Sequence, residues 1–208
     1  MYYTRGPKEK QLLVNLASTT DKKVHARKRR IISHAMSEAA LRSYEPVIIK
    51  KIELFCRGIA DFETFGGEYK NMSRWFSYLT YDIMGTLTFN QSYDMLTKND
   101  HHFIQPLIDS YQHCQVILGT EPKIEQYGLA PLLFLNIMSD NKRFRKYVDD
   151  QVTTRINLEK AGKGSNDIFK LLLDYKDKET GDSMGFKELS DEAVVLIIAG
   201  KLSACGVV

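Results

Sequence analysis

Apolar residues recur at three- and four-residue spacings over most of the chain, the signature of amphipathic helices. Val24, Ile31, Ile32, Ala35, Met36 and Ala39 trace one stripe and predict a first helix running to about Leu41. Pro46 suits the first turn of a second helix, with Val47, Ile48, Ile52, Phe55 and Ile59 as its core stripe. Asn71 or Ser73 can cap a third, which carries Trp75, Phe76, Leu79, Ile83, Met84 and Leu87. A fourth is expected from near Asp100 through Phe103, Leu107, Ile108, Tyr111 and Ile117, closed by Gly119 and Pro122.

Beyond it, Pro122 to Pro131 reads as loop and Leu132 to Met138 as a short apolar piece. Asp140 then opens a polar helix with Phe144, Tyr147, Val148, Val152 and Ile156 on one side. The run Ala161-Gly162-Lys163-Gly164-Ser165-Asn166 predicts a flexible linker, and Asp167 caps a short helix, Ile168 to Asp174. Asp177 to Met184 is expected to be a charged turn region. Ser190 is placed to cap a terminal helix, with Asp191 and Glu192 in its first turn, where carboxylates suit the helix dipole. No repeat and no strand ladder emerges, so the predicted class is all-α. From Ala193 to Val208 the chain is almost entirely apolar, so a helix there either has lost something to pack against or docks on a partner, the reading of a helical protein-interaction module.

Composition confirms a folded protein without changing that picture. The 208 residues are 43% hydrophobic and 26% charged, with 13 Gly and 5 Pro, which excludes collagen-like, low-complexity and wholly disordered chains. A chain of this length can bury roughly 70% of its unfolded surface without disulfide staples. Cys56, Cys114 and Cys205 lie far apart with no C-x-x-C pair, which points to a reducing compartment and away from a zinc site. Met1 to Pro7 holds no apolar run, so no signal peptide or anchor is expected. The uncharged apolar run Ala193 to Gly200 is far short of the ~20 residues of a membrane span.

Catalytic signatures are sparse. There is no G-x-S-x-G, P-loop, H-E-x-x-H or G-x-G-x-x-G. His25, His34, His101, His102 and His113 show no i, i+4 pair that would put two imidazoles on one helical face. Asp149 and Asp150 diverge by about 100° on a helix, so they read as a solvated face, not as an acid/base dyad.

Charge carries more. The net charge is only +3, yet Lys22, Lys23, Arg27, Lys28, Arg29 and Arg30 crowd one helix start. On a helix His25, Arg29, Ile32 and Met36 lie within about 60° of one another, so His25 and Arg29 continue the stripe expected to be buried through Ile32 and Met36. A cation in line with a buried stripe needs an anion, because unpaired burial costs several kcal/mol. A protein carboxylate, a phosphate and a cofactor acid group all satisfy that demand. The alternative is a solvated basic face or nuclear-import patch, Lys22-Lys23 followed by Arg27-Lys28-Arg29-Arg30, on a non-enzymatic all-α module that binds nucleic acid through helix 22–30.

Three stretches then look familiar. Asp21 to Ser37 resembles the C-helix of a cytochrome P-450 of the microsomal type common in filamentous fungi. Trp75 to Phe89 resembles the family's E-helix, and Leu189 to Gly200 the first half of its long central I-helix. Order and spacing agree as well. The resemblance implies the central helical portion of that fold, helices C to I, truncated at both ends: one incomplete domain over 1–208, family-like to residue 200.

In the family, W/H-x-x-x-R on the C-helix holds the haem propionates, a role that falls here on His25 and Arg29. A bidentate Arg–carboxylate pair is chemically apt for that task. Ala199 and Gly200 match the I-helix residues lying over haem. Met36 stands where Phe is usual and Asn90 where Gly commonly follows the E-helix Phe, while Trp75 is best read as core.

The same resemblance implies, for a full-length member, haem-, oxygen- and NADPH-dependent hydroxylation of a small apolar substrate. Electrons would come from NADPH–cytochrome P-450 reductase, at the cytosolic face of the endoplasmic reticulum membrane. His102 to Ile117 and Leu132 to Ile156 would roof the substrate channel. No nucleic acid and no membrane anchor are expected of this chain.

Key family residues have no match here. The F-x-x-G-x-x-x-C-x-G motif fails at Cys56, which has Ile49 and Ile52 upstream. It fails again at Cys205, which has Ile198 and Lys201 upstream and Val207 after it. Cys114 has no suitable glycine, and no Glu is followed three residues later by Arg. Where the I-helix usually continues with an acid and an alcohol, this chain has Leu202 and Ser203, and Leu202 relays no proton. The chain alone is therefore expected to hold haem poorly and to be inactive. Gly200-Lys201-Leu202 can be encoded as GGT-AAG-TTG, which contains a common intron-start sequence, so Lys201 to Val208 reads as intron translated in frame.

Overall fold

The computed structural model describes residues 15–60, 71–165, 167–176 and 181–205, with backbone alone at 122, 125, 130, 131 and 200–205. These residues form nine helices: α1 (Lys22–Ala35), α2 (Glu38–Ala60), α3 (Met72–Phe89), α4 (Ile104–Thr120), α5 (Pro122–Gln126), α6 (Ala130–Leu133), α7 (Leu135–Lys160), α8 (Ile168–Asp174) and α9 (Phe186–Cys205). No strand occurs among them, only an isolated antiparallel bridge between Lys176 and Ser183. The all-α expectation holds.

The core is assembled around α9, which packs chiefly on α3 and also meets α7 and α8. Phe89 of α3, Phe144 and Val148 of α7, Phe169 and Leu172 of α8, and Ala193 and Val194 of α9 are all deeply buried in one cluster. A smaller cluster, Phe55, Trp75, Leu79 and Leu96, holds α2 against α3, so Trp75 is core as expected. This arrangement explains why α9 is apolar around most of its circumference: three other helices line it.

Several boundaries differ from the sequence expectation, each for a local reason. The first helix stops at Ala35, and after Met36 and Ser37 the second starts at Glu38. The hydroxyl of Ser37 accepts the Ala40 amide there, a capping contact that competes with helix continuation. Pro46 consequently sits inside α2 and not in its first turn. The expected α2 stripe is only partly buried: Phe55 and Gly58 are covered, whereas Ile52 and Ile59 are exposed.

Asn71 caps α3 by accepting the Arg74 amide at 3.2 Å, as expected. Asn90 ends that helix in the left-handed region, φ 53°, a conformation glycine favours and asparagine tolerates. This explains how Asn90 stands in for the family's glycine. The loop expected from Pro122 to Pro131 instead begins with the short helix α5, where proline's missing amide costs nothing. The polar helix starts at Leu135, five residues before Asp140.

The expected linker is held in place where it is described. Arg155 donates to the Ser165 carbonyl at 3.1 Å, and the Ser165 hydroxyl donates to Asp167 at 2.7 Å. Asp167 also accepts the Lys170 amide at 2.8 Å, capping α8 as predicted. Asn166 and positions 177–180 of the charged turn region lie outside the described residues, as do Met1 to Pro7.

The terminal helix begins at Phe186, ahead of the expected cap. Ser190 lies inside it and hydrogen-bonds Asp149 of α7, so that aspartate is tied to the core and is not part of a solvated face. Asp191 and Glu192 are both buried and ion-paired, where a first-turn position had been expected.

Candidate functional site

The site centres on α1 and on what ties it to α9. Asp21 caps α1, its carboxylate accepting the Lys23 amide at 2.7 Å and the Val24 amide at 3.2 Å. The covered face of the helix carries Lys28, Ile31 and Ala35. The other line, His25–Arg29–Ile32–Met36, is less covered: His25 is half-buried, Ile32 is half-buried and packed against the core, Arg29 is exposed and Met36 is 49% exposed. The burial expected of that stripe is therefore corrected; the two lines differ by one residue, about 100° of rotation.

Arg29 and His25 lie one turn apart on that line. Neither side chain makes an ion pair or hydrogen bond among the described residues. The expected demand for an anion thus falls on the next residue. Lys28, 1% exposed, donates from Nζ to Glu192 Oε1 at 2.7 Å and approaches Glu188 Oε1 at 3.2 Å. Arg27 donates to the same Glu188 oxygen at 2.5 Å and stacks its guanidinium 5.7 Å from the Tyr175 ring centre. Glu192 takes a second donor, the Leu16 amide, at 3.2 Å. Burial pushes the Glu192 carboxyl above its ordinary range, and Lys28 and the Leu16 amide pull it partly back.

This network takes two cations out of the expected basic face. Of its six, Lys28 is buried and Arg27 is half-buried and paired, whereas Lys22, Lys23, Arg29 and Arg30 are exposed. A nucleic-acid module on this helix has no support. Sequence reasoning missed the Lys28–Glu192 pair, although the spacing of Lys28, Ile31 and Ala35 at three and four residues was a legible signal.

On α9, Ala199 is half-buried in the helix that runs through the core, and Gly200 lies in the same helix with only its backbone described. Lys28–Glu192 is the buried link between this helix and α1, seven residues before Ala199. Of the two cysteines whose side chains are described, Cys56 is exposed on α2 and Cys114 is buried in α4. Among the described residues no cluster of His, Cys, Asp and Glu could hold a metal ion, and no helix is long and apolar enough to cross a membrane.

The comparisons with known proteins agree with this architecture. The cytochrome P450 family model matches residues 2–201. Cytochrome P450 monooxygenase ataY of Aspergillus terreus is 79% identical over 201 residues, covering 97% of this chain and 87% of that protein. Cytochrome P450 monooxygenase poxM of Penicillium oxalicum is 33% identical over 190 residues, 89% of this chain but only 37% of the relative. The crystal structure of the cytochrome P450DA haem domain superposes with a TM-score of 0.66 at 18% identity, covering 91% of this chain and 39% of that one.

Fold and sequence together define the helical middle of a haem monooxygenase. The chain belongs to the cytochrome P450 family. It spans less than half the length of poxM and of the P450DA haem domain. Full-length members of the family carry haem, and they generally use a reductase partner and apolar substrates.

Proposed function

We propose that this chain supplies the propionate-binding helix and the haem-covering helix of a fungal cytochrome P450, with His25 and Arg29 as donors to the haem propionates. The supporting observation is the less covered face of α1. Two donor side chains one turn apart, His25 half-buried and Arg29 exposed, have no protein partner among the described residues, while the adjacent face is anchored by Lys28. Guanidinium and imidazole both donate to carboxylates, and Arg does so bidentately, so the residues fit this part of the group.

The fit is partial. The ligand-cysteine motif, the E-x-x-R pair and the I-helix acid have no counterpart in these 208 residues. Bound through a cysteine thiolate, haem supplies oxygen activation in such enzymes. This chain's own residues would contribute orientation: His25 and Arg29 would hold the haem propionates, and Ala199 and Gly200 of α9 would lie over the haem. The full-length protein is proposed to hydroxylate a small apolar substrate with electrons from an NADPH-linked reductase, at the cytosolic face of the endoplasmic reticulum. In it, His102 to Ile117 and Leu132 to Ile156 would roof the substrate channel.

Alone, the chain binds haem only weakly, without thiolate ligation, and hydroxylates nothing. Haemin titration of the purified chain tests this. A weak complex that weakens further in Arg29→Ala and His25→Ala supports the reading. A thiolate-type absorption band after reduction under carbon monoxide overturns the inactivity, and equal affinity in both variants overturns the propionate assignment.

A further inference from the structure

We infer that Lys28 and Glu192 form a positioning pair that fixes the rotation of α1 against α9 and thereby turns His25 and Arg29 outward toward the propionates. The inference rests on the propionate role proposed above for those two residues.

The geometry is specific. Lys28 is 1% and Glu192 2% exposed, and the pair is 2.7 Å apart. Glu188, one turn before Glu192 on α9, reaches Lys28 at 3.2 Å and Arg27 at 2.5 Å, so two carboxylates on one face of α9 grip two consecutive cations of α1. At 100° per residue, His25 lies about 60° and Arg29 about 100° around α1 from Lys28, both on the same side. Anchoring Lys28 to α9 therefore leaves one orientation for the two donors.

A buried ion pair is a poor source of stability, because desolvation consumes most of its Coulomb energy, and an apolar pair of similar volume often does as well. Its distinctive property is direction. A methionine pair could fill the same space but would tolerate rotation and sliding that a charge-assisted hydrogen bond at 2.7 Å does not. Ile31 and Ala35 already supply apolar burial on this face, so the ion pair adds register where burial alone would leave α1 free to turn.

The test compares the full chain with Glu192→Gln and with Lys28→Met/Glu192→Met. The double variant retains volume without leaving a lone buried charge, so it guards against simple unfolding. Two measurements are made on each protein. Amide hydrogen exchange reads α1 directly, and fluorescence titration compares protoporphyrin IX with its dimethyl ester, which lacks the carboxylates.

Exchange across 22–35 is expected to rise about tenfold in both variants with 135–160 unchanged. The preference of the wild-type chain for the diacid is expected to fall about fivefold or more. Unchanged exchange in α1 of the folded double variant would overturn the inference. So would a retained diacid preference, or an equal loss of affinity for diacid and ester, which would mark a merely structural pair. If the wild-type chain shows no diacid preference at all, the propionate reading fails, and exchange alone then decides whether the pair sets the rotation of α1.

Discussion

Arg155 grips Asp167 with two hydrogen bonds, Nε to Oδ2 at 2.7 Å and Nη2 to Oδ1 at 3.2 Å, and both side chains are buried. The guanidinium gives two further donors to Glu159 at 2.8 Å and to the Ser165 carbonyl at 3.1 Å. One side chain of α7 thereby holds the turn after it and the cap of α8. Removing one partner of a buried pair typically costs about 3–5 kcal/mol, because the other charge is left uncompensated. Arg155→Met is expected to lower the melting temperature by on the order of 10 °C. Arg155→Lys should fall between, since a single ammonium cannot reproduce the fork. Thermal denaturation followed by circular dichroism measures both, and an unchanged midpoint in Arg155→Met would refute the clamp.

That clamp shows where sequence reasoning ends. Gly162, Gly164 and Ser165 have the composition of a flexible linker, and composition is local. The residue that immobilises the segment lies a full turn or more upstream, inside a helix where an arginine normally reads as solvent-facing. Asp167 was legible as a cap, because a helix start depends on neighbours in sequence. The Lys28–Glu192 pair was not, because its partners are separated by 164 positions. Helix class, Asn71, the core role of Trp75 and the family all followed from periodicity and motif. The outer placement of Arg29 required knowing which neighbouring face of α1 meets the core.

Tyr93 and Tyr147 pair across α3's end and α7, with Tyr93 also donating to Gln151 at 3.3 Å. Burial pushes the Tyr147 hydroxyl up to about 12 and Tyr93 well above the ordinary tyrosine range. A raised folded-state value means that the unfolded chain loses its proton first. Stability is therefore fully present below pH 10 and is lost between about 10 and 12. For Tyr147 alone, two pH units correspond to about 2–3 kcal/mol. Ultraviolet titration of tyrosinate should show a late cooperative step coincident with loss of helicity. In Tyr147→Phe the alkaline midpoint of unfolding should move up; titration of all tyrosines near 10 in the folded chain would contradict this account.

Gly85 faces that same tyrosine from within α3. A Cβ there would meet Tyr93 Cδ2 at 2.7 Å and the Gln91 carbonyl oxygen at 2.8 Å. Helix propensity favours Gly→Ala by about 1 kcal/mol, but overpacking against an immobile carbonyl costs about 1–3 kcal/mol. The clash wins because one of the two neighbours is backbone. Gly85→Ala is expected to destabilise the chain, with increased near-ultraviolet signal change around Tyr93, whereas a raised melting temperature would show that the turn at Gln91 yields freely.

Adjacent residues on α1 provide the sharpest contrast between stability and function. Lys28 is buried against two carboxylates, and Arg29 beside it is exposed without an ion-pair partner among the described residues. Lys28→Ala strands Glu192 in a buried site and is expected to cost about 3–5 kcal/mol. Arg29→Ala removes an exposed side chain and should change stability by less than about 0.5 kcal/mol. The order reverses for ligand binding: Arg29→Ala should lower affinity for a porphyrin diacid while leaving its dimethyl ester unaffected. Chemical denaturation and porphyrin titration on the same two variants check both halves. A destabilised Arg29→Ala would place that residue in the protein's own packing, and its outward face would then be an accident of the fold and not a site.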